Sequence, residues 1–132
     1  MVILERERHE KLINDVRATG ARIKLISDGD LTAGINVAVS GTGVHAVMGI
    51  GGAPEAVVAA CAIRCIGGQI QCKLWPRDEQ EWAAVKDAGI DVSRVLRAED
   101  LVDGEDIFFA ATGISDGELL RLVRSDDAPP PF

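Results

Sequence analysis

Along this chain, short apolar runs alternate with stretches in which apolar residues return every three or four positions. "VIL" (2–4) is such a run and predicts a short strand. "RHEKLINDVRATG" carries Leu12, Ile13 and Val16 on one helical face, with Gly20 placed to end the helix. "ARIKLIS" (21–27) predicts a second strand, and "DLTAGINVAVSG" a short helix ending near Gly41. "VHAVMGI" (44–50) has the continuous apolarity of a buried strand. "PEAVVAACAIRCIG" (54–67) predicts a helix with proline in its first turn, where the missing N–H costs nothing. "QIQCKLW" (69–75) alternates polar and apolar, as a strand near a sheet edge does. "RDEQEWAAVKDAG" (77–89) predicts a charged amphipathic helix, "RVLR" (94–97) a short strand, and "AEDLVDG" a helical turn or two. "DIFFAATGI" (106–114) predicts a further apolar strand, and "SDGELLRLVR" (115–124) a capped helix. The remaining "SDDAPPPF" (125–132) is polar and proline-rich and predicts a disordered tail.

Strands alternating with helices predict an α/β fold: a mostly parallel sheet with helices on both faces. Such sheets receive ligands at the carboxyl ends of their strands. The segments expected there are "SDGD", "GIGGAPE" and "ATGISDGE", all rich in glycine and acid, and all predicted on the same edge.

The chain has 132 residues, which fits one domain, and its 47% hydrophobic content suits a globular core. A net charge of −7 argues against nucleic acid and against anionic membranes as partners. It leaves room for a phosphate ligand, which needs only a few local cations. Charges within the first five residues and the lack of a long apolar stretch predict neither a secretory leader nor a membrane span, hence a cytoplasmic protein. Cys61, Cys65 and Cys72 lack a disulfide or zinc spacing. They are expected to be free thiols in a reducing compartment, acting as small buried hydrophobes. Trp75 and Trp82 are expected to pack rather than to serve as substrate platforms.

Four stretches could carry chemistry. Asp28 and Asp30 flank Gly29 and could hold Mg2+ or Mn2+ or accept hydrogen bonds from sugar hydroxyls; equally, Asp30 could be an N-cap and Asp28 a turn residue. "GIGGAPE" lacks the Walker signature and the dinucleotide fingerprint, but its glycines would let backbone approach a ligand. Alternatively it is a tight strand-to-helix turn in which Glu55 favours the helix dipole. Arg6 and Arg8 suit bidentate phosphate contact or a solvated helix start. "ATGISDGE" is covered by Ser115 or Asp116 as an N-cap. His9 and His45 have no partner in sequence and are given no role.

Taken together, "RHEKLINDVRATGARIKLISDGD", "MGIGGAPEAVVAACAIRCIGGQIQCKLWPRDEQE" and "DIFFAATGISDGELLRLVR" resemble the C-terminal half of class II fructose-1,6-bisphosphatases, including their dual fructose/sedoheptulose-bisphosphatase relatives. The likeness runs from about Val2 to Arg124. It implies that residues 1–124 are one lobe of the metal-dependent sugar phosphatase fold, in an enzyme of gluconeogenesis. It implies a substrate-binding stretch at Arg6, Glu7 and Arg8, sugar-hydroxyl contacts from Asp28, Gly29 and Asp30, a substrate-facing backbone at Gly52, and a metal ligand at Glu55. The family's D-R-P-R-H is Glu5 to His9 here. The implied cofactor is Mn2+ or Mg2+ and the implied ligand a sugar bisphosphate. The remaining metal carboxylates belong to an N-terminal half, the expected partner, alongside homo-oligomerisation. A non-catalytic sugar-phosphate-binding or interaction module is the alternative, and a nucleotide-binding Rossmann domain a remoter one.

Overall fold

β1 (Val2–Leu4) is the middle strand of a three-stranded parallel sheet in the computed structural model, which describes residues 1–39, 41–114 and 119–120. β2 (Lys24–Ile26) lies on one side and β3 (Val47–Met48) on the other. Val2 stands opposite both Lys24 and Val47, and Leu4 opposite Ile26. All three β1 residues are buried, Ile3 completely. Successive strand residues point to opposite faces, so three buried in a row require cover on both. α1 (Glu10–Ala18) covers one face, packing Ile13 and Val16 on Ile3 with Leu12, Ile23 and Leu25 around them. Each such side chain contributes about 1.5–3 kcal/mol on leaving water.

α2 (Asp30–Ala38) lies against β1 and β3 and buries Ile35. α3 (Ala53–Ile66) packs on α2 through a face of small residues, Ala59, Ala60 and Ala62, with Ile63. Small side chains let the two helices approach closely. A Cβ on Gly68, just past α3, would sit only 2.6 Å from the Cβ of Ala38, so glycine is required there. β4 (Gln71–Cys72) and β5 (Leu96–Arg97) form a separate antiparallel pair, joined through α4 (Glu79–Asp87). α5 (Ala98–Leu101) ties this pair to α3, where the Arg64 guanidinium donates to the Val102 carbonyl at 2.7 Å.

The expected α/β alternation is therefore present, and most elements fall where the periodicity places them. The expectation of one mostly parallel sheet needs correction, because β4 and β5 stand apart from it. A parallel strand is covered on both faces and reads as continuous apolar sequence. Gln71–Cys72 and Leu96–Arg97 each keep one exposed member. β3 is shorter and more open than expected, with Met48 exposed, because it is an edge strand paired only to β1 among the described residues. The strand expected over 106–114 is not formed: apart from an isolated bridge at Gly113 the segment is irregular. Phe108 is 90% exposed and Ile114 89%. A strand is held by its ladder of hydrogen bonds to a neighbour, and apolar sequence alone supplies none. Trp75 and Trp82 are exposed, not packed. Cys65 is exposed too, and Cys61 and Cys72 are half-buried, so the thiols are free but not buried. Burial pushes the Cys72 thiol pKa up. The expected helix 115–124, apart from Leu119 and Leu120, and the tail 125–132 lie outside the described residues. No helix among the described residues is long and apolar enough to cross a membrane.

Candidate functional site

Parallel pairing brings the carboxyl ends of β1, β2 and β3 to one edge, and the chain leaves them as Glu5–His9, Ser27–Asp30 and Gly49–Gly52. The three exits are laced together. The Glu5 amide donates to the Ile26 carbonyl at 2.8 Å. Arg6 donates from Nη2 to the Ser27 carbonyl at 2.6 Å and from Nη1 to the Glu5 carbonyl at 2.8 Å. Arg8 donates from Nε to the Ile50 carbonyl at 3.0 Å. Its Nη groups make no hydrogen bond among the described residues, which leaves the fork of its guanidinium available at the surface.

His9 joins the same loops from beneath, 1% exposed. Its Nδ1 lies 2.7 Å from the Leu4 carbonyl, and its Nε2 accepts the Ile50 amide at 2.8 Å. A carbonyl only accepts and an amide N–H only donates, so the neutral ring carries its proton on Nδ1. Gly49 makes room for it: a Cβ there would stand 3.2 Å from His9 Cε1. Sequence reasoning gave His9 no role. Its one signal is its place, next to the arginine pair at the entrance to α1.

The D-G-D turn is built differently from the capping alternative. Gly29, left-handed at φ 76°, is the N-cap of α2, and no side chain caps the helix. Asp30 is the first helical residue, and among the described residues its Oδ1 accepts only the adjacent Leu31 amide, at 3.0 Å. Its Oδ2 lies 3.5 Å from where a Cβ on Gly51 would be. The aspartate turn and the glycine-rich loop are thus neighbours, although β1 runs between their strands. Gly52 is the N-cap of α3, Pro54 sits in its first turn, and the Glu55 carboxylate folds back over Gly52 so closely that a Cβ would collide with it. A carboxylate there faces the free N–H groups of the helix end. Asp28, Gly52 and Glu55 are exposed and Asp30 half-buried.

Two helix N-termini, of α2 and α3, therefore open onto an edge that also carries Arg6 and Arg8. Free helix N–H groups and guanidinium forks attract anions, whereas Glu5, Glu7, Asp28, Asp30 and Glu55 on the same edge attract cations. An open hollow of about 490 Å3 is lined by Glu5, Arg6, Glu7 and Arg8. A second, of about 480 Å3, extends from Glu5, Arg6 and Glu7 along α1 to Arg17. Neither takes in Asp28, Asp30, Gly52 or Glu55, so the edge is gathered but not enclosed. Among the described residues no three histidine, cysteine or carboxylate side chains come together as a metal centre would need.

Fold and edge define a broad class: α/β proteins whose parallel strands end together at one loop-built edge, the place where such sheets take their ligands. Comparison with known proteins narrows it. Residues 1–129 match the family described as bacterial fructose-1,6-bisphosphatase, glpX-encoded. Proteins of Synechococcus sp. strains JA-3-3Ab and JA-2-3B'a(2-13) are each 43% identical to it over 137 residues. A protein of Trichodesmium erythraeum is likewise 43% identical over 137 residues. All three are named D-fructose 1,6-bisphosphatase class 2/sedoheptulose 1,7-bisphosphatase. The match takes in 94% of this chain but 40% of each relative. The chain belongs to the bacterial, glpX-encoded fructose-1,6-bisphosphatase family.

Proposed function

We propose that residues 1–124 form the sugar-binding lobe of a metal-dependent phosphatase that converts fructose 1,6-bisphosphate to fructose 6-phosphate and phosphate. The observation that carries this reading is the lacing of three loops on one sheet edge by Arg6 and Arg8. In it, Arg8 offers its open fork to a phosphate group, and Arg6 holds the neighbouring turn in place. Glu7 lies between them, exposed, beside the same ligand. Asp28 and Asp30 accept hydrogen bonds from sugar hydroxyls around Gly29, and the Gly52 backbone lets the sugar approach. The names of the relatives extend the substrate to sedoheptulose 1,7-bisphosphate.

A divalent cation, Mg2+ or Mn2+, would stabilise phosphate charge and activate water. The described residues do not make a complete site for one; Glu55 supplies a single carboxylate. Such ions are commonly held by one or two carboxylates plus substrate phosphate, which suits Glu55 as a contributor to a shell completed elsewhere. This lobe's own work is to bind and orient the sugar.

Titration calorimetry with fructose 1,6-bisphosphate tests the reading. Binding should be measurable on the chain, and Arg8→Ala should weaken it by about tenfold, as loss of a charge-assisted phosphate contact implies. Phosphate release by the chain alone should be negligible. It should appear when the remaining part of a curated relative is added, and vanish with Glu55→Gln. Absence of binding, with metal present and absent, would overturn the reading; binding with no release in the mixture would favour a non-catalytic binding module.

A further inference from the structure

We propose that His9 is a positioning residue, which sets the height of the glycine-rich loop against the arginine turn and so fixes the span over which a sugar phosphate is gripped. The inference rests on the reading of this edge as a sugar-phosphate site. Ile50 is the residue through which the setting is made. Its N–H is held from below by His9 Nε2 at 2.8 Å, and its carbonyl from above by Arg8 Nε at 3.0 Å. Consecutive residues of the β1 exit thus hold both polar groups of one peptide residue on the β3 exit. The other side of the ring is anchored to the Leu4 carbonyl at 2.7 Å, at the end of the buried central strand. The linkage therefore runs from the buried central strand of the sheet to the loop that opens onto α3.

A short chain of hydrogen bonds in a water-excluded place is strong and directional. With the ring 1% exposed, water cannot substitute for either bond. Packing restricts the ring as well: the absent Cβ of Gly49 leaves a slot that His9 fills, with Cε1 and Nε2 at 3.2 and 3.4 Å from that position. The ring has one tautomer and one seat. Arg8 is then pre-set, because its Nε is committed to the same loop and only its Nη groups face outward. His9 touches no ligand in this arrangement; it acts through Ile50.

The test uses this chain with 15N labelling. His9 should show a protonated Nδ1, a bare Nε2, and coupling across the hydrogen bond to the Ile50 amide. His9→Leu removes both bonds at similar size. It should speed hydrogen exchange at Ile50 and weaken fructose 1,6-bisphosphate binding, each by about tenfold. His9→Gln can donate to Leu4 and accept from Ile50, and should recover both to within about threefold at matched thermal stability. That rescue separates positioning from simple support of the fold. Should His9→Leu fail to fold, Gly49→Ala displaces the ring while keeping its polar atoms, and should shift the Ile50 amide and weaken binding in the same direction. Faster exchange at Ile50 with wild-type affinity would overturn the proposal, as would unchanged exchange. If the wild-type chain binds no fructose 1,6-bisphosphate, the reading of the site fails by itself. The His9–Ile50 coupling and the Ile50 exchange rates then decide whether the ring positions the loop.

Discussion

Gly29 and Gly34 lie five residues apart and should respond oppositely to the same substitution. Gly29 is left-handed at φ 76°, and an added Cβ would meet Thr32 Oγ1 at 3.1 Å. Gly29→Ala should cost about 1–2 kcal/mol, the penalty of that backbone region for an L-residue. Gly34 is inside α2 with nothing within 4 Å of a new Cβ. Gly34→Ala should add about 0.5–1 kcal/mol, since alanine loses less chain freedom in a helix. Urea unfolding of the two variants checks both signs, and the same sign for both would contradict the argument. Sequence marked these loops by residue type: glycines, aspartates and arginines were all legible as candidates. It could not apportion them. "GIGG" reads as three glycines for a ligand, whereas Gly49 makes room for the His9 ring. His9 was invisible because both its partners are backbone atoms, 5 and 41 positions away. Main-chain groups carry no letter in the sequence.

At the scale of elements, α4 has a local start that can be tested away from the candidate site. Asp78 Oδ1 accepts the Glu81 amide at 2.9 Å, and Glu81 Oε2 accepts the Arg77 amide at 2.8 Å. Asp78→Ala should lower stability by about 1 kcal/mol and leave ligand binding unaltered. The Glu81 carboxyl is held below its ordinary range, first by hydrogen bonds from the Arg77 side chain and then by the Arg77 amide. A depressed carboxylate stabilises the fold above its unfolded pKa, about 4.3, and loses that contribution as pH falls through the folded value. The stability gap between wild type and Glu81→Gln should therefore be open at neutral pH and close as pH drops below about 4. A gap that widened on acidification would reverse the sign of this account. Helices were the legible elements, since amphipathic spacing and end residues are local information. The strands were less so. "QIQCKLW" reads correctly as edge-like, yet nothing in it names β5 as its partner. "DIFFAATGI" has strand composition without a strand's ladder.

For the whole molecule, the same segment carries an expectation. Phe108 and Ile114 are almost fully exposed, and apolar surface of that kind seeks cover. The chain should bind an apolar dye and sediment with a weight that rises with concentration, and Phe108→Ser combined with Ile114→Ser should reduce both. Sedimentation as a monomer at every concentration, without dye binding, would defeat the expectation. The order of strands has a consequence of another kind, in time rather than in space. β1 is the central strand, yet Val2 waits for Lys24 on one side and for Val47 on the other. A ribosome adding ~5–20 residues per second needs roughly 2–9 s to cover the ~45 residues between Val2 and its second partner. For those seconds the most apolar strand of the sheet has no neighbour on its β3 side. Among the described elements, only α1, β2 and α2 are made in time to cover it locally, so slowing translation between Ser27 and Val47 should expose nascent chains to aggregation or chaperone capture more than slowing it after Met48.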